Sequence, residues 1–197
     1  MVETNGRNFD LLTLGQVLLR LSPPDNERLS RGDTFVKQVG GAELNVAVGA
    51  ALLGLHTGVI SKLPAHDIGS FMKGKIRSFG VSDDFFMYDQ SPAARVGIYY
   101  YENGAYPRKP KVIYDRNHSS FFSLDIDEIP EEVYTASKCF HTTGITLALN
   151  EDIRETTIEM IKRFKAAGTL VSFDVNFRGN LWTGDQAREC ILRILPY

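Results

Sequence analysis

The chain has 197 residues, 43% of them hydrophobic and 23% charged, which is ordinary for one globular α/β domain with a small appendage. A formal net charge of -2 provides no basic field, so neither a nucleic acid nor a membrane surface is predicted as a partner. Two isolated cysteines match no metal or redox motif, and residues 1–8 lack the basic start and apolar core of a secretory signal, so a cytoplasmic location is predicted.

The first third of the chain alternates short apolar runs with helical segments. A helix over residues 42–53 is rich in Ala, Val and Leu almost all round, which predicts burial on every side. A second helix at 67–79 is amphipathic and ends at a glycine. Strands are predicted around these helices at 9–14, 17–22, 34–39 and 56–63.

The middle of the chain departs from this alternation. Tyr, Phe, Val and Ile concentrate at residues 84–88, 95–102 and 111–114, and a turn rich in Pro, Gly and Lys joins the last two runs. We therefore predict a β-hairpin that stands outside the main sheet. The strand–helix pattern then resumes, with strands at 138–141 and 170–174 and helices at 151–167 and 184–195.

This order of elements predicts an α/β fold: a doubly wound, mostly parallel sheet with flanking helices, plus a small β-sheet lid. The core is assigned to residues 9–16, 40–94 and 117–197. The lid is assigned to 17–39 and 95–116, and these two segments are expected to pair as a separate sheet.

The first candidate site is the segment GGAELN at residues 40–45, between a strand and a helix. Gly40 and Gly41 let the backbone approach a ligand closely, and the helix N-terminus offers free N–H groups. Asn45 is a polar amide on an otherwise apolar helix, so it requires a partner. The alternative is a tight turn in which Asn45 bonds to backbone, and the residues leave both interpretations open.

The second candidate is the hairpin, which carries Tyr99 on one strand and Tyr114 and Arg116 at the end of the other. Tyrosines on a ribbon can cover a polyhydroxylated ring, and arginine binds carboxylates bidentately. Taken alone, cross-strand aromatic pairing on an exposed ribbon is the favoured interpretation.

Two further segments follow strands, where open parallel sheets bind ligands. HTTGIT at 141–146 is interpreted as an ordinary loop, apart from the backbone near Gly144 and Ile145, with His141 a satisfied residue at the rim. DVNFR at 174–178 alternates, which predicts that Asp174, Asn176 and Arg178 share one side. A ligand-binding role is favoured there over a self-satisfied Asp–Arg pair.

The histidines show no metal-ligand spacing, so no metal site is predicted in this chain.

In combination these segments are more specific than any one of them. The order GGAELN, then VGIY and KVIYDR, then HTTGIT, then FDVNFRGNLW resembles the PfkB/ribokinase family of carbohydrate kinases from about residue 9 onward. Within that family the chain is most similar to 2-keto-3-deoxygluconate kinases. In this subgroup the residue after the first strand's glycine is often acidic, whereas this chain has Gln16 there.

The resemblance implies an ATP-dependent kinase with magnesium as a further cofactor and a small sugar acid as acceptor. A homodimer formed through the lid is also expected. Gly40, Asp174 and Asn176 would support the site. The implied substrate-binding residues are Gly41, Asn45, Tyr99, Tyr114, Arg116, Ile145 and Arg178.

The family's Gly-Ala-Gly-Asp segment, which holds the general base and anion hole, does not occur within residues 1–197 and is expected beyond Tyr197. The 197 residues alone are therefore expected to be inactive. A fructokinase or another sugar kinase of the family is the near alternative. A noncatalytic carbohydrate-binding fragment is the alternative from another class.

Overall fold

Two β-sheets organise the computed structural model, which describes residues 6–197. Residues 1–5 of the polar N-terminal segment lie outside the described part of the chain. The first sheet contains β1 (Phe9–Leu14), β4 (Thr57–Pro64), β5 (Val81–Ser82), β6 (Phe86–Asp89), β9 (Ser137–Thr143) and β10 (Leu170–Asp174). The second contains β2 (Leu18–Ser22), β3 (Val36–Gly40), β7 (Gly97–Glu102) and β8 (Lys111–Asp115).

The first sheet is parallel throughout. Its order is β10-β9-β1-β4-β5, and β6 pairs with β4 farther along that strand. All its pairings are parallel, so the carboxyl ends of its strands meet at one edge. The fold class predicted from the sequence is confirmed by this sheet and by the separate mixed sheet beside it.

Helices cover both faces of the parallel sheet. They are α1 (Ala42–Leu52), α2 (Asp67–Arg77), α3 (Val133–Ala136), α4 (Gly144–Leu147), α5 (Glu151–Ala166) and α6 (Gly184–Ile194). Successive strand residues point to opposite faces, so Val59 packs with the residues of α1 and α2 while Ile60 packs with those of α5 and α6. The result is two hydrophobic clusters separated by the sheet.

The second sheet joins two hairpins. β2 pairs antiparallel with β3, β7 pairs antiparallel with β8, and β2 runs parallel to β7 in the middle. The two segments assigned to the lid therefore pair with each other, and we call this sheet the lid sheet. The division into two domains at the stated boundaries stays a prediction.

The prediction that the helix at 42–53 is buried on every side was wrong. α1 buries one face through Glu43, Leu44 and Ala47, whereas Leu52 is 77% exposed and Leu53, just after the helix, is 85% exposed. The apolar composition of α1 indicates hydrophobicity but not which elements will pack against each face of the helix. The parallel sheet covers only one of its faces.

Short elements account for the other differences. The segment 141–146, expected as a loop, continues β9 to Thr143 and then forms the single turn of α4. Thr143 makes this possible because its hydroxyl accepts a hydrogen bond from the Ile145 N–H at 3.1 Å and so caps the turn. α3, β5 and two 3-10 turns at Ser120–Ser123 and Ile126–Glu128 had no sequence prediction.

Within residues 6–197, no helix combines the length and the apolar character that crossing a membrane would require.

The aromatic pair between β9 and α5 generates a prediction about stability. Phe140 and Phe164 are fully buried and stacked, with ring centroids 4.1 Å apart. Phe164→Ala is expected to lower the free energy of unfolding by about 3–5 kcal/mol, because burial is lost and a cavity remains. Leu52→Ala is the matched control and should change it by less than about 0.5 kcal/mol, since Leu52 is exposed. Urea unfolding measures both, and equal effects would contradict the assignment of the core.

Candidate functional site

A cavity of about 540 Å³ lies where the lid sheet faces the N-terminus of α1 and the carboxyl ends of β9 and β10. Its size falls in the range of small-molecule sites, about 300–1,000 Å³. The structure brings all seven predicted substrate-binding residues to this cavity, together with Asp174 and Asn176. Those seven are Gly41, Asn45, Tyr99, Tyr114, Arg116, Ile145 and Arg178.

Of the two glycines before α1, Gly41 lines the cavity and Gly40 packs against the lid sheet. Gly41 precedes α1 with a φ of 149°, a conformation that favours glycine, and a Cβ there would lie 2.7 Å from the Gln16 carbonyl oxygen. A Cβ on Gly40 would collide with the Tyr99 hydroxyl. Gly40 thus fits against the lid sheet, and Gly41 leaves the first N–H groups of α1 without a side-chain cap.

Asn45 lies one turn into α1. Its backbone N–H donates to the Gly41 carbonyl at 2.9 Å, as in any first helical turn, and its side chain is exposed at the cavity. This side of α1 faces the cavity, so the amide is open to a ligand there, and its role in binding one stays a prediction.

The cavity-facing side of the lid sheet is aromatic. Tyr99 on β7 is directly opposite Tyr114 on β8, and their ring centroids are 6.0 Å apart. Burial raises the pKa of Tyr99, so its phenol stays protonated and able to donate a hydrogen bond. Tyr101, two residues along β7, reaches the same cavity. Such a wall is suited to the apolar faces of a sugar.

Arg116 is held at the junction of the two sheets by a neutral amide. Its Nε donates to Gln16 Oε1 at 2.8 Å, and Gln16 Nε2 donates to the Arg116 carbonyl at 3.1 Å and to Ser119 Oγ at 2.6 Å. Among the described residues Arg116 forms no ion pair. Its guanidinium therefore keeps its charge and its Nη groups for a ligand.

Burial lowers the pKa of Arg116, and the nearby Glu43 opposes that shift. An arginine remains charged at any physiological pH, so its partial burial costs desolvation free energy. An anionic ligand would offset that cost.

Glu43 is a buried carboxyl group in the wall of the cavity. It is 2% exposed, and its Oε1 accepts hydrogen bonds from the Thr143 and Thr146 hydroxyls at 2.6 and 2.7 Å. Burial raises the pKa of Glu43, while the two hydroxyls and the charge of Arg116 act in the opposite direction. These contacts tie the first turn of α1 to the end of β9 and fix the floor of the cavity.

The segment after β10 reaches the cavity by a turn. The Asn176 N–H donates to Asp174 Oδ1 at 2.9 Å, and Asn176 takes a left-handed φ of 34°. The predicted reason, an extended chain, was wrong beyond Asp174, although Asp174, Asn176 and Arg178 all line the cavity. Asp174 and Arg178 form no ion pair with each other among the described residues.

His141 is not at the rim and is not fully satisfied. It is 7% exposed; its Nδ1 is 2.9 Å from Ser172 Oγ, and its buried Nε2 has no hydrogen-bond partner within residues 6–197. Burial lowers the pKa of His141, and the charge of Asp174 partly offsets this.

Sequence reasoning missed five polar residues of this cavity: Gln16, Arg20, Glu43, Tyr101 and Thr143. Gln16 was noticed only as a departure from an acidic position. Strand register would have found Tyr101, because it lies two residues from Tyr99 and so faces the same side.

The segment 6–197 holds no group of three or more His, Cys, Asp or Glu side chains that could bind a metal ion, and we assign none of its residues to magnesium.

Comparison with known proteins identifies the family. Residues 8–197 match the pfkB family carbohydrate kinases. This chain belongs to the pfkB family. It is 37% identical over 187 residues to a 2-dehydro-3-deoxygalactonokinase from Haloferax volcanii, covering 95% of this chain and 58% of the relative.

Solved structures of sugar kinases are also similar. The crystal structure of 2-dehydro-3-deoxygluconokinase from Thermotoga maritima is 35% identical with a TM-score of 0.88, and the match covers 93% of this chain and 56% of that one. A sugar kinase from Pyrococcus horikoshii in complex with ATP is 27% identical with a TM-score of 0.77, covering 93% and 58% respectively. This pfkB chain thus spans just over half the length of the relatives it matches.

The contacts of Gln16 generate a prediction. Gln16→Leu removes the acceptor for Arg116 Nε and both donated hydrogen bonds, and leaving buried groups unpaired should lower the free energy of unfolding by about 1–3 kcal/mol. Gln90→Leu, at an exposed position outside the cavity, is the matched control. Urea unfolding compares them, and a loss no larger in Gln16→Leu than in the control would contradict this role.

The burial of His141 generates a second prediction. The folded protein favours the neutral imidazole, so as pH falls below the ordinary histidine pKa of about 6.5 the unfolded chain takes up the proton first. The contribution of His141 to the free energy of unfolding is therefore complete above about pH 6.5 and is lost as the pH falls below that value. The free energy of unfolding should therefore fall more steeply from about pH 7.5 to 5.5 in the wild type than in His141→Gln. Parallel curves from urea titrations at each pH would refute the prediction.

Proposed function

We propose that this pfkB protein transfers the γ-phosphoryl group of ATP to the terminal hydroxyl of 2-keto-3-deoxygluconate, and that the cavity binds this acceptor. The observation that carries the proposal is the state of Arg116, which is half-buried at the cavity, positioned by a neutral amide and without an ion pair among residues 6–197. A half-buried cation of this kind suits the carboxylate of a sugar acid.

The other proposed contacts follow from the geometry. Arg178 shares the cavity with Arg116 and adds a second positive charge for the carboxylate. The exposed Asn45 amide and the open backbone at Gly41 suit hydroxyl groups, while Tyr99 and Tyr114 cover the carbon chain. Ile145 contributes an apolar edge beside Arg116 and Arg178.

In this proposal the described residues act by positioning. ATP supplies the phosphoryl group when bound, and magnesium would offset its charge. Holding the acceptor between α1 and the lid sheet fixes its terminal hydroxyl, lowers the entropy cost of the transfer and excludes water as a competing acceptor. We assign these residues to acceptor binding and none of them to proton transfer.

2-Keto-3-deoxygalactonate is a second candidate acceptor. The name of the Haloferax volcanii relative favours 2-keto-3-deoxygalactonate, which differs from the gluconate form in configuration at one carbon. A fructokinase activity is the alternative for a neutral sugar, and binding without transfer is the outcome for a noncatalytic fragment. A homodimer formed through the lid sheet and a cytoplasmic location remain part of the proposal.

Arg116→Met tests the proposal. The variant keeps an unbranched apolar stem and removes the charged guanidinium, so affinity for 2-keto-3-deoxygluconate should fall by at least about tenfold, as expected for a charged hydrogen-bonded contact. Affinity for D-fructose, which lacks a carboxylate, should change little. Isothermal titration calorimetry measures both, and a coupled assay with ATP measures transfer separately.

Arg77→Met is the control, because Arg77 is an exposed arginine on α2 that lies outside the cavity. Equal losses for the acidic and neutral sugars in Arg116→Met would contradict a carboxylate contact. A wild-type protein that binds fructose and neither sugar acid would replace the proposed acceptor with a neutral one.

A further inference from the structure

Strand register places Arg20 at the centre of the cavity-facing side of the lid sheet. Arg20 on β2 is directly opposite Tyr99 on β7, which is directly opposite Tyr114 on β8. Residues that are opposite each other in register project to the same face, so the three side chains form one row. All three line the cavity, and so does Tyr101.

The Arg20 side chain is fixed in a way that leaves its charge available. Its guanidinium lies over the Tyr101 ring, 4.3 Å from the centroid, and its Nε donates to Ser22 Oγ at 2.8 Å. Beyond these contacts, the hydroxyl of Tyr99, which also lines the cavity, is a neutral hydrogen-bonding neighbour of the guanidinium. A neutral phenol does not cancel the positive charge, so that charge remains available to an oxyanion.

No carboxylate of the described residues pairs with Arg20. Its side chain is half-buried, yet it takes part in none of the ion pairs found within residues 6–197. Two arginines beside β7 and β8, Arg95 and Arg108, do pair with acids, at Asp115 and Glu102. Arg20 differs from these two arginines and resembles Arg116, which also forms no ion pair among the described residues.

We propose that Arg20 is a specificity-determining residue of the acceptor site, binding oxygen atoms of the sugar acid at the end of the cavity away from Arg116. This inference rests on the proposed function. The acceptor would lie across Tyr99 and Tyr114, with one arginine on each flank.

The spacing agrees with an open-chain six-carbon acid. Arg20 and Tyr114 are two strands apart, about 10 Å at the usual strand separation, and Arg116 follows Tyr114 by two residues. A ligand that bridges the two guanidinium groups must carry oxygen functions at both ends. A sugar acid does so and carries a negative charge as well, whereas a neutral sugar gains less from the second cation.

Arg20→Met and Arg20→Lys test this inference on the whole protein. Arg20→Met should weaken binding of 2-keto-3-deoxygluconate by about tenfold and binding of D-fructose by clearly less, because the neutral sugar loses hydrogen bonds but no attraction between opposite charges. Arg20→Lys keeps the charge without the planar fork and should fall between wild type and Met. Calorimetry at low and high NaCl adds a readout that a structural role would not move: the salt dependence of sugar-acid affinity should be smaller in Arg20→Met.

Arg31→Ala, an exposed arginine outside the cavity, is the control, and thermal unfolding of each variant without ligand checks the fold. If Arg20→Met binds the sugar acid like wild type while Arg116→Met does not, the inference is overturned and the proposed function stands. If the wild type binds no sugar acid, both are overturned. Equal losses for acid and neutral sugar in Arg20→Met would assign Arg20 to packing of the lid sheet and also refute the inference.

Discussion

The site depends on one side-chain amide. Gln16 leaves β1 of the parallel sheet and immediately hydrogen-bonds to Arg116 and Ser119, which follow the last strand of the lid sheet. Because the amide both donates and accepts, it fixes the arginine without neutralising it. A carboxylate at the same place would offer an acceptor but also a counter-charge. Gln16 therefore attaches the lid sheet to the parallel sheet and at the same time leaves the charge of Arg116 available to a ligand.

Periodicity and turn residues were sufficient to predict most of the fold. The parallel sheet, the long helices and the separate lid sheet all follow from local patterns of apolar residues and glycines. Burial of α1 did not, because a uniformly apolar helix carries no sign of which side a sheet will cover. The turn of α4 was missed for a similar reason: its cap, Thr143, looks like any β-branched residue at a strand end.

The cavity was only partly predictable. Segments that follow strands were placed correctly at one edge, since parallel strands end together. The sequence did not mark Arg20 as a site residue, because one charged residue in LLRLS is typical of any strand with a solvent-exposed face. Only the pairing of β2 with β7 shows where it points. Glu43 was equally ordinary, as acidic residues are common in the first turn of helices. Its burial depends on Gly15 and two threonines that are distant in the sequence.

The parallel contact between β2 and β7 has a consequence for the order of assembly. The two hairpins of the lid sheet are local and can form early, but their junction joins β2 to β7, which are separated in the chain by six other elements, from β3 to β6. Bringing β2 and β7 together before the core has formed would close a long loop and cost conformational entropy. Once the intervening core has folded, the two strands are already close. We therefore expect the row of Arg20, Tyr99 and Tyr114 to be completed late in folding, after the core that brings β2 to β7 has formed.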